Sequence, residues 1–95
     1  MSEKGWHYFL KLCRSCDNEK MLSEIFELFL THEEKSSIET RCLIIKDLLE
    51  KKKTQRHMAE DLKVSIAKIT RGSNELKRMS PKLIDYLQKH LAELK

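Results

Sequence analysis

Thr54-Gln-Arg-His-Met-Ala-Glu-Asp-Leu-Lys-Val-Ser-Ile-Ala-Lys-Ile-Thr-Arg71 holds two short helical stretches parted by a break of about three residues. Met58 and Leu62 face inward from the first stretch and Ile69 from the second, at helical spacing. Ala59 stands where two crossing helices come close and a larger side chain would push them apart. Val64 plugs the turn. This is the pattern of a helix-turn-helix. At Lys63 such turns often carry glycine, because the backbone there tends toward positive φ. A side chain in that conformation costs about 1 kcal/mol, which the pattern tolerates.

Working outward, the flanks read as helices with clear starts. Trp6, Phe9, Leu10 and Cys13 fall at helical spacing, and Met21, Leu22, Ile25, Phe26 and Phe29 continue it, with a break expected at Asp17-Asn18. Thr31-His-Glu-Glu34 spells a capping box opening a helix whose apolar face is Ile38, Cys42, Ile45 and Leu48/Leu49. Lys51-Lys52-Lys53 puts positive charge at the negative end of that helix and reads as a solvated helix end. Thr54 caps a helix through Leu62, and Ser65 another from Ile66 to about Arg78. Ser80-Pro81 starts a last helix striped by Leu83/Ile84, Leu87, Leu91 and Leu94. The 95 residues hold only two glycines and one proline, which argues for helices with short connections and against a turn-rich sandwich or barrel. The expectation is an all-α chain of six helices, one domain over residues 1–95, with the helix-turn-helix at 54–78.

Charge is uneven. Residues 1–45 carry 6 basic and 8 acidic side chains, residues 46–82 carry 11 and 5, and residues 83–95 carry 2 and 2. A basic segment in an otherwise balanced chain fits either a phosphate-backbone partner or a solvated basic face. On the helix-turn-helix reading, the second helix enters the major groove of double-stranded DNA, with Ile66, Ala67, Thr70 and Arg71 on its exposed side. Lys68 and Lys77 are placed for phosphates. Gln55 and Arg56 open the first helix, where free amides also favour a phosphate, and Arg56 is the candidate for bidentate reading of guanine. The alternative is a helical hairpin used for protein contact or packing.

Other chemistries find little support. Cys13 and Cys16 form a C-x-x-C, but no second pair at zinc spacing accompanies it and no βαβ context favours redox work, so the two read as small apolar helix residues. No metal site and no cofactor are expected. Residues 1–20 are interrupted by charge and contain no secretory core, and no apolar run is long enough for a membrane. Three unpaired thiols then fit a cytoplasmic protein. No activated nucleophile, carboxylate pair or phosphate-cradling loop points to an enzyme.

At Ile69-Thr-Arg-Gly-Ser-Asn-Glu-Leu-Lys77 the chain resembles the tryptophan repressor family, whose recognition helix carries a nearly identical I-T-R-G-S-N-x-L-K run. Gln55-Arg56, Thr40-Arg41, Asp47-Leu48-Leu49, Leu30-Thr31 and Trp6 match family residues in the same register, from about Trp6 to Leu94. The resemblance implies an intertwined homodimer in which N-terminal helices, here within residues 3–30, interlock and two helix-turn-helix units face successive major grooves. It implies L-tryptophan as corepressor, its indole between the guanidiniums of Arg41 and Arg71, with Arg71 pairing the ligand carboxylate. Backbone carbonyls of Leu28 and Leu30 would receive the ammonium, and Thr31, Ile45, Gly72 and Glu75 would line the slot. Thr40, Ser73 and Lys77 would supply flanking phosphate contacts. A guanidinium plane stacks well on an indole face, so the chemistry is sound.

The sequence departs from the family pattern at several places. Glu75 stands where a small hydroxyl residue is usual, and Ile45 is one methylene larger than the usual valine. Ala59 replaces a lysine, Lys68 a threonine, and Lys63-Val64-Ser65 a glycine-rich turn. Three readings follow. The first is a tryptophan-dependent dimeric repressor of tryptophan biosynthesis and uptake genes. The second is a helix-turn-helix regulator whose ligand response has changed or been lost. The third is a helical protein-interaction module that binds no DNA.

Overall fold

In the computed structural model, which describes residues 3–94, the chain is built entirely from helices among the described residues. They are α1 (Lys4–Ser15), α2 (Glu19–Phe29), α3 (His32–Glu50), α4 (Gln55–Leu62), α5 (Ile66–Lys77) and α6 (Pro81–Leu87), the last running into a π-helical stretch, Gln88–Ala92. The expected all-α chain of six helices is what is found. The termini of the expected 1–95 domain, Met1 and Lys95, lie outside the described residues. The chain divides into two compact units, Met1–Ser36 and Ser37–Lys95.

In the first unit, α1 ends at the expected break. The Asn18 side chain accepts from the Met21 amide at 2.8 Å and starts α2. Phe9 joins the two helices through ring contacts with Phe26 (6.1 Å) and Phe29 (5.2 Å), and Trp6 stacks on Phe9 at 5.7 Å. The capping box forms as expected: the Thr31 amide donates to Glu34 Oε1 at 2.8 Å and the Glu34 amide to Thr31 Oγ1 at 3.1 Å. That first bond, from the Thr31 backbone, holds the Glu34 carboxyl below its ordinary value of 4.5. None of the described residues of this unit is buried.

The second unit contains the buried core. Ile44 of α3, Met58 of α4 and Ile69 of α5 meet there, with Leu48, Ala59, Leu62 and Val64 packed around them. Here the α3 reading needs correction. Its inward residues are Ile44, Leu48 and Leu49, with Ile45 half-buried as expected, whereas Ile38 is 51% exposed and Cys42 is also on the surface. The helix carries apolar residues on more than one face, and the α4–α5 pair covers the face of Ile44 and Leu48. The last helix also differs from a single stripe: Ile84, Leu87 and Leu91 are half-buried, but Leu94, past the π-helical stretch, is exposed. Gln88 Nε2 donates to the Leu49 carbonyl at 3.2 Å and fastens that stretch to the end of α3.

Candidate nucleic-acid interface

The helix-turn-helix owes its shape to local chemistry. Thr54 Oγ1 accepts from the His57 amide at 3.1 Å and opens α4. Lys63 then adopts φ 56°, ψ 45°, and the Val64 amide reaches back to the Ala59 carbonyl at 3.1 Å. This is a left-handed helix stop with lysine where glycine is usual. Ser65 Oγ accepts from the Lys68 amide at 3.3 Å and starts α5. Ser80 does the same for Leu83 at 3.1 Å ahead of Pro81.

Beside the packing of Ile69 on Ile44 and Met58, two further contacts bear on where α5 lies. Thr70 Oγ1 donates to Gln55 Oε1 at 3.2 Å, tying the second helix to the first turn of the one before it. Gly72 faces α3: a Cβ built there would stand 3.1 Å from Ile44 Cγ2, 3.5 Å from Leu48 Cδ1 and 4.0 Å from Ile45 Cδ1. Glycine thus lets α5 seat closely on α3.

With α5 seated this way, Ile66, Ala67, Lys68, Thr70 and Arg71 are all exposed, as are Arg56 and Lys77. Gln55, Ser73 and Thr40 are half-buried. Arg56, Lys63, Lys68, Arg71 and Lys77 form no ion pair among the described residues. Unpaired cations on α4, its turn and α5 suit a polyanion.

Of the eight residues expected to line a ligand slot, Leu28, Leu30 and Thr31 belong to the first unit. Arg41, Ile45, Arg71, Gly72 and Glu75 belong to the second. Within the second, Gly72 and Ile45 are brought together. Arg41 and Arg71 are exposed, and Arg41 also makes no ion pair among the described residues. Leu28 is 80% exposed at the end of α2. Glu75 is engaged by Arg78, whose Nη1 lies 3.2 and 3.4 Å from the two carboxylate oxygens.

One participant was not foreseen. Lys51 and Lys52 are exposed helix-end lysines, but Lys53 bridges two helices. Its Nζ lies 2.9 Å from Asp61 Oδ2 on α4 and 3.6 Å from Asp47 Oδ2 on α3. That Asp47 oxygen is buried and has no hydrogen bond among the described residues, so the lysine charge is its compensation. His57 Nε2 flanks Asp61 at 3.5 Å. The bond to Asp61 pushes Lys53 above 10.5 and holds Asp61 below 3.8. Spacings of six and eight residues carry no periodic signal that would have announced this bridge.

No group of three or more histidine, cysteine or acidic side chains suited to a metal occurs among the described residues. No helix there is long and apolar enough to cross a membrane.

The fold, with α4, its turn and an exposed α5, defines an all-α helix-turn-helix protein. Residues 4–91 match the family model described as Trp repressor protein. A protein named Trp operon repressor homolog from Chlamydia trachomatis serovar D is 47% identical over 89 residues, covering 94% of this chain and 95% of its own. Proteins of the same name from Chlamydia caviae (44% identical, 92% and 86% covered) and Mannheimia succiniciproducens (39% identical, 93% and 87% covered) are also similar. The chain belongs to the Trp repressor protein family.

Proposed function

We propose that the protein is a homodimeric, cytoplasmic transcriptional repressor that binds operator DNA when L-tryptophan occupies it as corepressor. Its targets are genes of tryptophan biosynthesis or uptake. The observation that carries the DNA-binding half is that Arg56, Lys63, Lys68, Arg71 and Lys77 are exposed on the helix-turn-helix and unpaired by any carboxylate among the described residues. The α5 N-terminus carries Ile66 and Ala67 to the base edges, Thr70 and Arg71 follow, Arg56 is the candidate for reading a guanine, and Gln55, Lys68, Ser73, Thr40 and Lys77 hold the backbone.

The corepressor half rests on family membership and on chemistry. Arg41 and Arg71 are unpaired planar cations suited to the two faces of an indole, and Arg71 has a donor fork for the ligand carboxylate. Leu28 and Leu30 would offer carbonyls to the ammonium. Thr31, Ile45, Gly72 and Glu75 complete the slot. Ligand binding acts by favouring the dimer geometry in which both α5 helices fit the grooves. The absence of any buried residue among 3–36 supports a dimer in which α1 and α2 are covered by the second copy.

A second reading is favoured by one residue. Glu75, the acidic residue one turn beyond Arg71 and Gly72, brings negative charge to a slot meant for a carboxylate, which fits a regulator with an altered or lost ligand response.

The test is fluorescence anisotropy with a duplex selected from random sequence by the protein in the presence of L-tryptophan. Affinity is expected to rise with L-tryptophan and to fall linearly with salt on logarithmic axes. Arg71→Ala should abolish the rise. Salt-dependent binding that ignores L-tryptophan would support the second reading, and no binding to any duplex would overturn both.

A further inference from the structure

Arg71, Glu75 and Arg78 follow one another along α5 at spacings of four and three, so they share one stripe of the helix surface. Glu75 is the sole acidic residue of α5, and it lies one turn from each arginine. Either could take it. The structure shows both of its oxygens on Arg78 Nη1, at 3.2 and 3.4 Å, and no ion pair at Arg71 among the described residues. Helix electrostatics explain the choice. A carboxylate placed N-terminal to its cation is the better order along a helix, which favours Glu75–Arg78 over Arg71–Glu75. Arg78 also sits at the C-cap, where positive charge meets the negative end of the helix dipole.

We infer that Arg78 is a positioning residue that draws Glu75 off Arg71 and so keeps the Arg71 guanidinium open to the carboxylate of an amino-acid ligand. The inference rests on the reading of Arg71 as the ligand's anion anchor. It explains how the helix accommodates a carboxylate beside that anchor. Without Arg78, the nearest cation on the stripe is Arg71 itself, and an intramolecular Arg71–Glu75 pair would compete with the ligand.

The pair is solvent-exposed, so the effect is modest. Titration calorimetry with L-tryptophan should show Arg78→Ala binding roughly two- to fivefold more weakly than the unsubstituted protein. In a Glu75→Ala background the same change should do nothing. A role for Arg78 that does not run through Glu75 would persist when Glu75 is removed, so a loss that persists in that background overturns the inference. So does an Arg78→Ala protein that binds as the parent does. A ligand-free readout separates this from the corepressor reading: the side-chain Nε–Hε resonance of Arg71. Arg78→Ala should shift that resonance when Glu75 is present and leave it in place in the Glu75→Ala background. If L-tryptophan gives no heat with the parent protein, the corepressor reading fails, and an unmoved Arg71 resonance then overturns the Arg78 inference on its own.

Discussion

The Thr70 hydroxyl donates to Gln55 Oε1 across 3.2 Å, so the only described hydrogen bond joining α4 to α5 side chain to side chain links two residues of the proposed DNA surface. Because the amide oxygen accepts that bond, the Gln55 Nε2 donors are left for other acceptors, which on the proposed function are a phosphate oxygen or a base edge. Thr70→Val should cost at most about 1 kcal/mol in urea unfolding, as an exposed neutral hydrogen bond contributes. Duplex affinity should fall further than stability does, since both side chains lose their mutual orientation. Equal binding by Thr70→Val would show that Gln55 is not oriented through this bond.

Gly72 separates two opposing effects. Alanine in a helix interior gains about 1 kcal/mol over glycine, but its Cβ would stand 3.1 Å from Ile44 Cγ2. Ile44 is buried and β-branched, with little freedom to turn away. Gly72→Ala should therefore leave the thermal midpoint nearly unchanged, the gain offset by the contact. Gly72→Val overfills the α3–α5 contact and should cost about 1–3 kcal/mol. A valine variant as stable as the parent would show that α5 can lift off α3 freely.

Lys63 tests backbone conformation alone. Its φ of 56° is one that glycine adopts without steric cost. Lys63→Gly should change stability by less than about 1 kcal/mol in the stabilising direction, because relief of the left-handed strain is partly cancelled by added freedom of the unfolded chain. It also removes one unpaired cation, so the salt slope of DNA binding should become shallower if Lys63 meets a phosphate.

The carboxylates and Lys53 predict a stability profile in pH. Asp61 is held down by the Lys53 hydrogen bond, Glu50 by that of Lys46, and Glu34 by the Thr31 amide. Each therefore stabilises the folded chain above its ordinary value of 3.8 or 4.5, and that contribution is lost as pH falls through the lower folded value. Lys53 is shifted upward, so its contribution is complete below 10.5 and is lost as pH rises through the higher folded value. Urea midpoints should be flat between these limits and decline beyond them. Lys53→Met should lower the midpoint more than Lys52→Met does, because it strips the charge facing the buried Asp47 oxygen. Equal midpoints for the two variants would remove the bridge from the account.

What the sequence disclosed depended on how local the cause was. Thr31, Thr54, Ser65 and Ser80 announce their helices because a cap is decided within three residues. Lys63 announces its left-handed turn for the same reason, and Met58 and Ile69 follow from helical period. Ile44 did not stand out, because α3 is apolar on several faces and only the packing of α4 and α5 selects one. The Lys53 bridge was likewise invisible, and helical spacing alone leaves Glu75 between Arg71 and Arg78. A run of three lysines looks solvated until the fold brings Asp47 and Asp61 to one of them. The positions of the candidate site were legible as a pattern of exposed and small residues along α4 and α5, while the pairing of their charges was not.

The first unit spends its apolar residues without burying any among the described ones: Trp6, Leu10, Met21 and Phe29 all remain substantially exposed. Helices of eleven or twelve residues with no interior are marginal on their own in water. If the second copy supplies that interior, folding and association are one event. The repressor's half-denaturation temperature then becomes a function of its own abundance, and a cell that makes little of it holds that little in a less durable form.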